Sequence, residues 1–246
     1  MRTYFLTRLR HEILSPYQIL FSILMPILMF NIFGHSEGSD YMLPTGANVS
    51  GIIVIQMAFY SAILASTMSG SMLAHERETQ WTRTLYLAGA SVPMLVLSRF
   101  AVSLCMSVIP TTLLYIIAAC TGAILPTRWW IITWILIVVI STLFSGFGQY
   151  IGSIFPDRTA GGLASGLIVL LAFMSDIFVP LEGFMFRCAQ FMPLFGFKSA
   201  LTWELLSGHN ATGEQLNLAF VSANIAVWSL IMLTLSVVAV RLSRRR

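Results

Sequence analysis

Charge is scarce in this chain: 10% of its 246 residues are Asp, Glu, Lys or Arg, against 57% hydrophobic, and the mean hydropathy is +0.82. So few charges cannot clothe a soluble core, which leaves a polytopic membrane protein. Lysine is rarer still, Lys198 being the only one. No G-x-x-x-x-G-K-[ST] occurs, so the chain does not itself cradle a nucleotide on a P-loop. H-E-x-x-H and G-x-S-x-G are missing too, and the four histidines, His11, His35, His75 and His209, are scattered over different loops; metal and nucleophilic-serine chemistry have no foothold. Cysteine is equally sparse: Cys105, Cys120 and Cys188 lack metal-ligand spacing and read as small buried thiols, not as a disulfide framework. Ionisable residues inside the apolar runs are nearly absent. Only Asp176 lies deep in one, about 24 Å along its helix and close to the outer interface. Proton-driven transport calls for charge at mid-membrane, so the energy for any transport comes from elsewhere.

What is present is a series of long apolar runs. They predict an all-α membrane protein of six spans, at 13–33, 49–73, 94–121, 130–155, 160–179 and 216–240, forming one domain over 1–246. The first run, Ile13 to Phe33, covers about 31 Å as a helix and lacks a small-x-small cleavage site, so it reads as a span and not a signal peptide. Pro26 predicts a kink within it. Ser66, Ser69, Gly70 and Ser71 permit close helix approach in the second span, as do Gly148-x-x-x-Gly152 in the fourth and Gly162-x-x-x-Gly166 in the fifth. Trp129, Trp130 and Trp134 read as an interfacial anchor. Arg99 falls in the first turns of the third span, where its long stem is expected to reach the headgroups.

The sequence pI near 9.2 reflects topology and not nucleic-acid binding, because the arginines stand at the ends of apolar runs. With both termini cytoplasmic, the inner segments hold Arg2, Arg8, Arg10, Arg77, Arg83, Arg99, Arg158, Arg241, Arg244, Arg245 and Arg246, or 11 of the 14 basic residues. That orientation places 1–12 as an interfacial lead-in, 74–93 in the cytoplasm, and 180–215 outside as one or two short helices. The segment His75 to Pro93, HERETQWTRTLYLAGASVP, is the longest polar interruption in the first half of the chain. At 3.6 residues per turn, Trp81 and Leu85 share a face while Arg77, Glu78 and Arg83 lie away from it, the pattern of a short amphipathic helix at a membrane surface.

Four stretches in this order resemble the membrane subunit of type-2 ABC exporters, the ABC-2 permease family. RLRHEILSPYQILFSILMPILMFNIFG is similar to that family's interfacial helix and first span, and YMLPTGANVS to the entry of its second. HERETQWTRTLYLAGASVPMLVLSRF is similar to its coupling segment between spans two and three. SDIFVPLEGFMFRCAQFMPLFGFKSALTWELLSG is similar to its short re-entrant outer helices between spans five and six, although Asp176 stands where a small residue is common. The resemblance implies a second permease subunit, a copy or a relative, and a cytoplasmic P-loop ATPase that binds ATP and Mg, leaving this chain non-enzymatic and without a cofactor. It implies ATPase contact at His75, Glu76, Arg77, Glu78, Gln80, Trp81 and Arg83, with Arg8 and Arg10 in a secondary role. Few polar groups mark the interior, and Gln56, Ser66, Thr67, Gln149, Ser175 and Asp176 are the expected path residues for a lipophilic or amphipathic cargo such as a drug, antibiotic, peptide or lipid. The same fold would serve a non-transporting sensor or immunity subunit. A membrane-bound enzyme would have to use the outer 182–214 segment, where Glu182, Arg187, Glu204, His209 and Glu214 are dispersed.

Overall fold

The computed structural model describes residues 18, 20–81, 84, 87, 89 and 91–245, excepting the side chains of 92, 244 and 245. Among them the regular structure is helical, and the β-type pairings are isolated bridges, Met42 with Asn48 and His209 with Gln215. A π-helical turn, Leu20–Leu24, leads into α1, Met25–Phe33. The kink expected at Pro26 takes this form: a proline ring collides with the carbonyl four residues back, here Ser22, and the widened turn relieves the collision.

Helix α2, Val49–Ser71, begins at Asn48, whose side-chain oxygen accepts from Gly51 N at 2.8 Å. Helix α3, Leu73–Glu78, carries on past Met72, so that Val49–Glu78 is one apolar stretch of 30 residues. At 1.5 Å per residue that is about 45 Å, and a hydrocarbon core of about 30 Å leaves its final turns standing clear. Then follow α4, Val92–Cys120, α5, Thr127–Leu143, α6, Ser145–Ile154, and α7, Asp157–Met174. Two short helices, α8 (Gly183–Ala189) and α9 (Phe195–Thr202), precede the last, α10, Leu218–Arg245. Among the described residues five stretches are long and apolar enough to cross a membrane: Val49–Glu78, Pro93–Cys120, Thr127–Ile154, Asp157–Met174 and Leu218–Ser243. The expected first span is represented by the shorter apolar helix Leu20–Phe33 and by Gln18, the rest of it lying outside the described residues.

The second span is the axis of the bundle. Every residue from Val54 to Ser71 is buried, with α1, α4, α5, α6, α7 and α9 packed around it. Small residues make this possible. A Cβ on Gly148 would overlap the Thr67 carbonyl, one on Gly152 would press on that of Ser71, and one on Gly70 would overlap that of Ser145, so α2 and α6 meet backbone to backbone. A Cβ on Gly162 or Gly166 would meet nothing within 4 Å. Of the two glycine spacings, the one on α6 is therefore a packing face within the chain, and the one on α7 faces outward. Aromatic rings fill the wider gaps: Phe144 stands edge-on to Phe59 at 6.5 Å and to Phe197 of α9 at 5.6 Å.

The cysteines depart from expectation. All three are free, but Cys105 and Cys188 are only partly covered and Cys120 is exposed. An apolar run in a membrane protein has an outward side as apolar as its inward one, so apolar neighbours in sequence do not imply burial within the chain.

Candidate functional site

The polar cluster lies at the end of the bundle opposite Asn48, where α3 emerges. Four consecutive residues of α3 divide their work by direction. Glu76 turns inward and accepts from Arg99 Nη2 of α4 at 2.7 Å, with side chains 8% and 0% exposed. Arg99 therefore does not reach for headgroups: its place in the first turns of α4 puts it against the axial helix, and a carboxylate within hydrogen-bond range holds it there. Its Nε and Nη1 are buried without a partner.

The other three residues grip the turn between α6 and α7. His75 Nδ1 lies 2.8 Å from Asp157 Oδ2. Arg77 donates through Nη2 to Phe155 O at 3.0 Å and through Nη1 to Ser153 O. Glu78 Oε1 accepts from Asp157 N at 2.9 Å, placing a carboxylate on the first backbone N–H of α7, where the helix dipole favours negative charge. The continuation beyond Glu78 is broken by Thr79 and Gln80, and Gln80 takes the left-handed φ of 57°. The single amphipathic helix expected over 75–93 is thus divided: its polar head prolongs the second span, and the chain turns before Trp81, which is exposed. Arg83, Arg8 and Arg10 lie outside the described residues.

This cluster ties the ends of spans two, three, four and five into one block, so a force applied to the turn after Glu78 is shared among all of them. Asp157 and the Ser153 and Phe155 carbonyls were not legible as participants, since backbone acceptors leave no trace in sequence. Arg99 left a faint one: a lone cation in an apolar run, following the first of two glutamates just past the end of the run before. Among the described residues no group of three His, Cys, Asp or Glu side chains could hold a metal ion.

The family model for the ABC-2 type transporter matches residues 1–206. The chain belongs to that family. YvfS of Bacillus subtilis (strain 168), which carries the provisional name of transport permease, is 22% identical over 218 residues, covering 86% of this chain and 87% of its own. Apolar helices and family together make this ABC-2 chain a multi-pass membrane protein.

The six residues expected along a path are all buried inside the ABC-2 chain, most of them in contacts between its own helices. Ser66 Oγ donates to Ser103 O at 3.4 Å, and Thr67 Oγ1 to Phe144 O at 3.3 Å. Gln149 Nε2 donates to Ser145 Oγ at 3.3 Å, and its Oε1 accepts from Ser236 Oγ of α10 at 3.0 Å. Gln56 is buried in α2, and Ser175 Oγ is buried without a partner. Asp176 pairs with Lys198 of α9, which the sequence had placed on an outer surface and which is buried instead. The reason is that α9 is not superficial: Phe197 beside Lys198 reaches Phe144 in the core.

Proposed function

We propose that this ABC-2 chain is the permease subunit of an ATP-binding cassette exporter. In this reading two permease subunits form the transmembrane pathway for a lipophilic or amphipathic cargo, and separate cytoplasmic P-loop ATPase subunits bind ATP and Mg and push on the segment that follows Glu78. One observation supports the coupling role above the rest: the axial helix runs out through Glu78 with its polar head clamped to the 153–157 turn and to Arg99. Displacing a helix so held moves its neighbours with it. His75, Glu76 and Arg77 then transmit force within the chain, while Gln80, Trp81 and Arg83 meet the ATPase, aided by Arg8 and Arg10. Gln56, Ser66, Thr67, Gln149, Ser175 and Asp176 reach cargo only when spans two, four and five separate.

The test is purification of the tagged chain in mild detergent, with co-purifying protein identified by mass and assayed for ATP hydrolysis. A stoichiometric P-loop ATPase, lost on Trp81→Ala with Arg83→Ala, is the expected result, and a second permease of different mass would show a heterodimer. Absence of any ATPase across several detergents would overturn the exporter reading in favour of a sensor.

A further inference from the structure

Helix α7 stops at Met174, and Asp176 just beyond it takes φ 61°, a left-handed conformation that few residues other than glycine adopt. Its carboxylate is wholly engaged in holding the next segment. Oδ1 accepts from Leu181 N at 2.6 Å, while Oδ2 and the main-chain oxygen both accept from Lys198 Nζ, the latter at 2.9 Å. The ammonium also lies 5.7 Å from the Phe195 ring. Neither side chain is more than 4% exposed. The pair is also deep: Phe178, two residues on, packs at 4.8 Å on Tyr60, which is about 16 Å along α2 from Val49.

The α8–α9 hairpin is hung from α10 by separate ties, Asn224 Nδ2 to Gln190 O at 2.8 Å and Trp228 Nε1 to Phe191 O at 3.1 Å. Toward α7 its polar tie is the ion pair. Beside each member stands a serine, Ser175 and Ser199, whose hydroxyl is buried without a partner. Separating the charges in a dry interior leaves both uncompensated, whereas separating them with entry of water hydrates two ions and two orphaned hydroxyls together. The arrangement therefore has two favoured states, dry and closed or wet and open.

We propose that Asp176 and Lys198 form a clasp that shuts the α8–α9 hairpin against α7 at the Asn48 end of the bundle, and that this clasp must part for the pathway to open there. The proposal rests on the exporter reading, but its test requires neither ATPase nor cargo. In full-length protein with Cys105, Cys120 and Cys188 replaced by serine, Ser199→Cys reports on the clasp and Ser66→Cys on the axial core. Each is exposed to a membrane-impermeant maleimide in opened membrane vesicles. Lys198→Met, which strands the carboxylate, is expected to speed labelling at position 199 roughly tenfold by favouring the wet state, with position 66 unchanged. Asp176→Asn with Lys198→Met removes both charges and is expected to restore slow labelling. Unchanged labelling at 199 in Lys198→Met would overturn the clasp, as would equal acceleration at 66, since the pair would then merely hold the fold. Should no ATPase co-purify, the exporter reading fails while the labelling result still decides the clasp.

Discussion

Replacing Glu76 with leucine removes the carboxylate that holds Arg99 in a place water does not reach. Stranding one member of a buried pair costs about 3–5 kcal/mol, whereas replacing both with apolar residues of similar size is often nearly neutral. Glu76→Leu is therefore expected to lower the thermal midpoint sharply in detergent, and Glu76→Leu with Arg99→Met to recover most of the loss. Equal midpoints for the wild type and the single variant would refute the burial argument. A second residue carries a comparable local burden. Asn48 starts α2, accepts from Ile124 N at 2.8 Å and donates to Gly122 O at 2.9 Å, so it fastens the turn before the fourth span as well. Asn48→Ala is expected to cost the cap, about 1 kcal/mol, plus those two bonds. Asn48 and Asn210 both head N-x-[ST] triplets, yet their side chains are buried and engaged. Expression in a glycosylating host is expected to leave the mass unchanged at both.

Among the elements, α6 and α7 make a matched pair for experiment. Each carries a G-x-x-x-G, and sequence offers no ground for ranking them. Only the α6 glycines meet a backbone. Gly148→Ala is expected to force α2 and α6 apart at a cost of about 1–3 kcal/mol, read as lost monodisperse protein. Gly162→Ala, facing open space, is expected to be neutral or to gain up to about 1 kcal/mol in helix propensity. The contrast marks what sequence could reveal of this fold. Long apolar runs are a local property, and the helices that follow from them were legible. The break after Met174 was not, because it depends on Asp176 finding Lys198 22 residues away. Arg99 was assigned to an interface because a charge near the end of an apolar run reads as surface until its partner is known, and Lys198 was placed outside with the broken 180–215 segment that carries it.

At the scale of the whole molecule, the clamp between α3 and the 153–157 turn joins by charged side chains spans that elsewhere meet through apolar groups, small hydroxyls and bare backbone. Arg77→Ala with Glu78→Ala and Asp157→Ala cuts that clamp while leaving Trp81 in place. The proposed exporter is expected to retain its ATPase on such a chain but lose most cargo-stimulated hydrolysis, measured on the purified complex. Loss of the ATPase itself would move these residues from transmission to docking. Unaltered stimulation would show that force travels by another route, with the Glu76–Arg99 pair the first alternative.

The enclosure of α2 also bears on how the chain is made. From Val54 to Ser71 nothing touches lipid once folding is complete, yet this stretch leaves the ribosome before α4, α5, α6 and α7, which enclose it, have been synthesised. The span that carries it, Val49–Glu78, reaches a mean hydropathy of 1.8 over its most apolar 18 residues, which suits that earlier moment, when Ser61, Ser66, Thr67, Ser69 and Ser71 lie bare in the bilayer and the apolar residues around them must carry the segment in. The core of the finished protein thus begins as a guest of the lipid, and biogenesis, not only packing, limits how polar that core can become.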